Sequence, residues 1–188
     1  LLKRGSNQEE IFRKVNRADF CLETTPLDAC YFDRPNKLES QQTISAPHMH
    51  AHAIKHLEKH LFKGAKVLDV GSGSGILCAI FSYMVDIQNN PNSLVVGVDI
   101  YDNLIDKSIA NISKNHKHLF NRGRLKIFKA DAWKGVKLDK SIEHYDEYFD
   151  AIHVGAKADM VPELLYKQLK PGGRMFIPLE KNGQTHIY

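Results

Sequence analysis

Seven consecutive residues, Asp69-Val70-Gly71-Ser72-Gly73-Ser74-Gly75, close one apolar run and open another, so three alternating glycines stand between an expected strand and an expected helix. Glycine at alternate positions lets a chain turn sharply and approach a ligand with no side chain in the way. The dinucleotide fingerprint is G-x-G-x-x-G, and here the third glycine comes one residue too early, which disfavours a nicotinamide- or flavin-dependent oxidoreductase. Asp99 ends the next apolar run, 24 positions after Gly75. A carboxylate there can accept hydrogen bonds from both hydroxyls of a ribose; its other reading is the N-cap of a helix that begins near Asn103 and Leu104. A second cluster is made of histidines. His48, His50, His52, His56 and His60 are five of the ten in the chain, and the last three recur at i, i+4 and i+8. A pair at that spacing chelates zinc in H-E-x-x-H proteases, but Ala53 follows His52 and no clustered cysteines complete a site. The expectation is a polar helix face and no metal. Cys78, inside an apolar stretch, reads as a core residue, and Trp133 either shields a pocket or sits at the core edge.

Hydrophobic spacing supplies the elements that position these residues. Asn7 to Val15 reads as a short helix and Thr24 to Gln42 as loop. Pro47 suits a first helical turn, and Met49, Ala53, Ile54, Leu57 and Leu61 follow at helical spacing until Gly64. Strands are expected at Ala65 to Val70, Ser93 to Asp99, Leu125 to Lys129, Phe149 to Val154 and Met175 to Leu179, with helices at Gly75 to Val85, Leu104 to Ile112 and about Met160 to Leu169. Strands that alternate with helices imply right-handed crossovers and a parallel sheet covered on both faces, which binds ligands at the carboxyl ends of its strands.

The D-V-G-S-G-S-G stretch followed by an acid at the second strand end resembles the class I S-adenosylmethionine-dependent methyltransferases. Gln42-Thr43-Ile44-Ser45-Ala46-Pro47-His48-Met49-His50-Ala51 narrows the resemblance. With Tyr31-x-Asp33-x-Pro35 before it, and Asp150-Ala151-Ile152-His153-Val154-Gly155-Ala156 and Leu169-Lys170-Pro171-Gly172-Gly173-Arg174 after it, the chain resembles the protein-L-isoaspartate O-methyltransferases in order from about Ile11 to Leu179. The resemblance implies an α/β fold with a Rossmann-like, doubly wound, mostly parallel sheet. It implies a single methyltransferase domain over 1–188, with 1–64 a helical and loop extension on the substrate side and 65–188 the cofactor-binding core.

The activity so implied moves a methyl group from S-adenosyl-L-methionine, leaving S-adenosyl-L-homocysteine, to the free carboxylate of L-isoaspartyl residues in damaged proteins and peptides. By the same resemblance Ser45 is the active-site residue, donating its hydroxyl to the incoming carboxylate; spacing alone makes it a cap for the helix at Pro47. Thr43, Ile44 and His48 would line the cleft. Asp69, Gly71, Ser72 and Gly73 would hold the methionine side of the cofactor, Asp99 with Ile100 the ribose, and Asp131 with Ala132 the adenine, alanine standing where the family often has glycine. Residues 36–41 depart from the aromatic and glycine-containing pattern of the family. The family continues past its fifth strand into an antiparallel hairpin that closes the sheet. Here Gln184 to Tyr188 begins a sixth strand and the sequence stops, so that hairpin is expected to be missing or truncated.

Composition limits the alternatives. The 188 residues are 43% apolar and 26% charged with a formal charge of +4, which suits one globular domain that buries about two thirds of its unfolded surface. No apolar run approaches the ~18 residues of a membrane span, and no charged-then-apolar leader opens the sequence. Three cysteines without a C-x-x-C pair argue against a disulfide framework and for a cytoplasmic setting. The charge is too small and dispersed to predict a nucleic-acid partner. Asn90-Pro91 is followed by Asn92-Ser93, so the N-P-P-Y-like motif of nucleic-acid methyltransferases is absent. A non-enzymatic binding module on the same fold is the other alternative, and cofactor binding separates the two. The expected state is a monomer acting on isoaspartyl peptides and damaged proteins, with no nucleic acid and no membrane.

Overall fold

A computed structural model of the chain describes residues 2–139, 146–181 and 184–187. In chain order, α1 (Asn7–Lys14) leads through short 3-10 turns to an antiparallel pair, β1 (Asn36–Lys37) and β2 (Thr43–Ile44), and then to α2 (Pro47–Leu57). An alternating series follows: β3 (Lys66–Val70), α3 (Ile76–Met84), β4 (Leu94–Asp99), α4 (Asp102–His116), β5 (Leu125–Lys129), β6 (Phe149–Val154), α5 (Glu163–Lys167) and β7 (Leu169–Phe176). The five long strands pair in parallel in the order β5-β4-β3-β6-β7. The chain therefore winds one way from β3 through β4 to β5 and the other way from β6 to β7. The reversal beside β3 opens a crevice at the carboxyl ends of β3 and its neighbours.

Most expected elements form within one or two residues, and the exceptions have local causes. α4 runs on to His116 because Leu104, Ser108, Asn111, Ile112 and His116 keep one face buried. α5 is short, held between Pro162 and the start of β7. β7 begins at Leu169, not Met175. Its register jumps from Phe149 opposite Leu169 to Ala151 opposite Arg174, so Pro171-Gly172-Gly173 bulges from the sheet edge, where proline and glycine are tolerated. Residues 178–179, expected to end that strand, instead begin β8 (Pro178–Lys181), which forms a hairpin with β9 (Gln184–Ile187). These two strands pair with each other and add nothing to the five-stranded sheet, which ends at β7. Tyr188, the last residue of the expected sixth strand, lies outside the described residues.

Alternation along β3 divides the core into two layers. Val67 belongs with Ile54 and Leu57 of α2 and Leu77 and Phe81 of α3; Leu68 and Val70 belong with Val96, Val98, Ile152 and Val154. α3 is buried on almost every side, as its nearly continuous apolar sequence requires. Packing is closest at Gly97 of β4, opposite Asp69 in register: a Cβ added there would stand 2.5 Å from Cys78 Sγ and 3.2 Å from Ser72 Cβ. His50 of α2 is also enclosed. Burial first, then the charge of Arg17 and the ring of His153, hold its pKa down to about 3 against an ordinary 6.5.

Gly97→Ala should lower the free energy of unfolding by about 1–3 kcal/mol, because a short buried cysteine and a serine must both give way; urea unfolding at unchanged slope measures this. His50 binds its proton more readily unfolded than folded. Its contribution is fully present above pH 6.5 and is lost as pH falls toward 3, at up to about 1.4 kcal/mol per pH unit. His50→Gln should flatten stability between pH 6.5 and pH 4 in urea titrations, and an acid limb as steep as that of wild type would contradict the assignment.

Candidate active site

The glycine segment leaves β3 where two loops meet. Gly71 N–H donates to Val98 O at 2.9 Å and Gly155 N–H donates to Val70 O at 2.7 Å. A Cβ on Gly155 would stand 3.0 Å from Gly71 O, and Gly71 itself has a φ of +69°, so this contact between loops tolerates little but glycine. Asp99 ends β4 beside it. Its Oδ1 accepts from the N–H groups of Ile100 (2.8 Å) and Tyr101 (3.3 Å), and its Oδ2 accepts from Gly73 N–H at 3.1 Å. Three of about four acceptor positions are thus in use, which leaves room for a hydroxyl. The N-cap position of α4 is Tyr101, with no side-chain cap bond, so Asp99 is not spent on the helix.

Between these loops lies a cleft of about 380 Å³. Thr43, Gly71, Gly73, Asp99, Ile100, Asp131 and Ala132 line it, and Trp133 forms part of its wall. Asp131 Oδ1 accepts from Trp133 N–H at 3.1 Å and Oδ2 lies 3.4 Å from Lys134 Nζ. A hollow of about 50 Å³ adjoins it, lined by Ile44, Asp69, Ser72 and again Thr43 and Ser45. Each oxygen of Asp69 has one partner: Oδ1 accepts from His153 Nδ1 at 2.7 Å and Oδ2 from the Cys78 thiol at 3.2 Å. Burial, and then Asp69 itself, push the Cys78 thiol well above its ordinary pKa, which leaves no thiolate to act as a nucleophile. Ser72 Oγ is buried without a partner among the described residues.

Ser45 lines both spaces. The N-cap position of α2 is Ala46, with no side-chain cap bond, and no group among the described residues takes up the Ser45 hydroxyl. His48 does not join the cleft. Its N–H and Nδ1 contact Asp33 Oδ1 at 3.0 and 2.8 Å, and it lines a separate cavity with residues of α1 and the Tyr31–Asp33 turn. The histidines farther along α2 and in the 3-10 turn after it are structural: His52 and His56 stack 6.2 Å apart, His56 leans on Phe176, and His60 Nε2 contacts Gly172 O at 2.9 Å. Among the described residues no group of three His, Cys, Asp or Glu side chains is close enough to hold a metal ion. Sequence reasoning missed His50 and His153 in the hollow. His153 lay in a quoted motif, but only strand register puts it opposite Asp69.

The family model of protein-L-isoaspartate(D-aspartate) O-methyltransferase matches residues 3–188. A protein-L-isoaspartate O-methyltransferase of Caenorhabditis elegans is 40% identical over 179 residues, 95% of this chain and 72% of that protein. Protein-L-isoaspartate O-methyltransferase 1 of Arabidopsis thaliana is 38% identical over 174 residues, 91% of this chain and 70% of that protein. Among solved structures, a Plasmodium falciparum protein assigned to the same methyltransferase group, in complex with S-adenosyl-L-homocysteine, superposes with a TM-score of 0.86 at 31% identity, covering 98% of this chain and 81% of that one. The glycine loop, the acid at the end of β4 and the parallel sheet that presents them thus occur in a chain that belongs to the protein-L-isoaspartate(D-aspartate) O-methyltransferase family.

Proposed function

We propose that this chain works as a protein-L-isoaspartate O-methyltransferase whose cleft and hollow hold S-adenosylmethionine and whose Ser45 meets the isoaspartyl carboxylate. The observation that carries the reading is the free Ser45 hydroxyl at the junction of the two spaces, released from any capping duty. The residues fit the cofactor. Asp99 keeps acceptor capacity for ribose, the glycine turn offers a cradle that a Cβ would narrow, and Ser72 Oγ waits unpartnered beside the hollow for the amino-acid end. Asp131, Ala132 and Trp133 would face the adenine. When bound, S-adenosylmethionine supplies a methyl group on a positively charged sulfur that departs with its electron pair.

The chain's own residues then have little proton chemistry to do. A carboxylate with a pKa near 4 is already ionised at neutral pH, so no general base is needed. Ser45 orients the carboxylate, and positioning supplies most of the rate. The carboxylates of Asp69, Asp99 and Asp131 around the cleft favour a cationic ligand over an anionic one. Cys21, Cys30 and Cys78 are all free and buried, in keeping with the reducing cytoplasm. Among the described residues no helix is long and apolar enough to cross a membrane.

Binding of S-adenosylhomocysteine to the native state should stabilise the fold by roughly 2.7 kcal/mol at 100 times the dissociation constant. Asp99→Ala, compared with its own unliganded melting curve, should lose most of that gain; an undiminished thermal shift would remove Asp99 from the site. Ser45→Ala should slow single-turnover methyl transfer to an isoaspartyl peptide by ~10- to 1000-fold with cofactor binding nearly intact. Equal wild-type rates on isoaspartyl and aspartyl peptides would sink the repair reading, and an unchanged rate for Ser45→Ala would leave that serine without a role in the reaction.

A further inference from the structure

Residues 36–41, the stretch that departs from the pattern of the family, run through β1 into the tip of the β1–β2 hairpin. The base of this hairpin is fixed. Asn36 donates to Ala29 O at 3.2 Å, Ile44 is buried, and Leu38 lies over the glycine loop, 3.6 Å from where a Cβ on Gly73 would stand. The tip is strained. Ser40 and Gln41 are consecutive non-glycine residues with φ of +55° and +57°, a left-handed conformation that ordinary residues hold only where their surroundings enforce it. Bonds within the turn close it, Leu38 N–H donating to Gln42 O at 2.8 Å and Gln42 N–H to Glu39 O at 3.1 Å. Glu39 Oε2 is enclosed with no hydrogen-bond partner among the described residues.

Two contacts from α4 hold the tip in place. Ser40 Oγ donates to Asn103 Oδ1 at 2.8 Å, and Glu39 Oε1 lies 3.8 Å from Nζ of the half-buried Lys107, one turn further along α4. These contacts join the two walls of the cleft. Gln42 and Thr43 line it on the hairpin side, and Ile100, Tyr101 and Leu104 line it on the α4 side, so the bond from Ser40 to Asn103 crosses from one wall to the other. Asn111, one further turn along, donates to Ser74 O at 3.2 Å. A single stripe of α4 therefore refers both the hairpin tip and the glycine loop to one helix. Strain favours release of the tip and the two contacts favour closure, each by an amount of the same order.

We propose that the hairpin tip is a strap across the cleft, latched by Asn103 and Lys107, and that the cofactor enters and leaves only when the latch opens. The inference rests on the reading that the cleft holds S-adenosylmethionine. Neither Asn103 nor Lys107 lines the cleft, so both are positioning residues that act through the strap. Because the closed form is the strained one, loosening the latch and relieving the strain should change the exchange rates in opposite directions.

The test measures association and dissociation of S-adenosylhomocysteine by surface plasmon resonance on the immobilised chain. Glu39→Gln combined with Asn103→Ala frees the strap while Lys107 keeps its other carboxylate neighbour, Glu23 at 4.0 Å. Both rate constants should rise by about 3- to 30-fold, with Kd changing by less than either rate. Gln41→Gly, which adopts a positive φ without strain, should lower both rates by about 2- to 5-fold and bring the unlatched variant part of the way back to wild type. A turn that was merely loose would exchange ligand faster with glycine. Should the unlatched variant fail to melt cooperatively, Gln41→Gly decides alone. Faster exchange in Gln41→Gly overturns the inference, and so do unchanged rates in a folded unlatched variant. A dissociation rate that rises alone, with Kd rising in step, also overturns it, by assigning these residues to the binding surface and not to a gate. In each of these cases wild type still binds S-adenosylhomocysteine and the methyl-transfer reading stands; wild type that does not bind it brings down both.

Discussion

Asp69 sets a carboxylate on the middle strand of a parallel sheet covered on both faces, and at 1% exposure it has no water to rely on. A charge there is tolerable only with hydrogen bonds on its oxygens. One comes from β6, where His153 stands directly opposite in register, and the other from α3, where Cys78 donates its thiol. The His153 ring is in turn stacked on Phe176 of β7 and set edge-on to Phe81 of α3. Four elements are thereby referred to one carboxylate, and the glycine loop that leaves β3 two residues later inherits their alignment. The space this consumes explains Gly97 as well: with the Cys78 sulfur drawn toward Asp69, the neighbouring strand has no room for a side chain.

The same close packing shapes the cleft. The loops after β3 and β6 touch through backbone, Gly71 against Gly155, so the floor between them is built of amides and carbonyls. Carboxylates line the cleft at the buried Asp99 and at Asp131, and the adjoining hollow at Asp69. The N-terminal segment carries the opposite charge inward: Arg17 is anchored by Cys30 O, and the 3-10 turns that hold these two residues bring the cation under α2. His50 stands between the acidic and the basic side, and burial keeps it neutral so that it separates the two without adding a charge of its own.

Several residues that look chemical in a list of types prove to be mortar. The histidine row of α2 stacks on itself and on β7, and Cys78 is a hydrogen-bond donor in the core. Conversely, Ser45, which by spacing resembled a helix cap, is the hydroxyl the helix leaves free, because the cap position falls one residue later, at Ala46. A shift of one residue at a helix start is within the ordinary uncertainty of a boundary, and at this position it changes what the side chain is available to do.

What the sequence determined by itself was everything that depends on local order. Largely apolar runs marked β3, β4 and β6 nearly to the residue, since strands buried on both faces record that burial along their own length, and the edge strand β5 was marked by its shorter Leu-Lys-Ile-Phe-Lys pattern. The alternating glycines and Asp99 were legible because strand ends and turns are written in adjacent residues. Tertiary structure alone decided the pairings between distant segments. That Asp69 meets His153 is a matter of register between strands 84 positions apart. That His48 turns toward Asp33 and away from the cleft depends on the path of a loop with no periodicity. That Arg17 is buried and half-satisfied depends on where α1 and α2 close over it. Hydrophobic pattern reports whether a residue is buried, whereas the partner it finds there is set by the packing of elements that the local sequence does not encode.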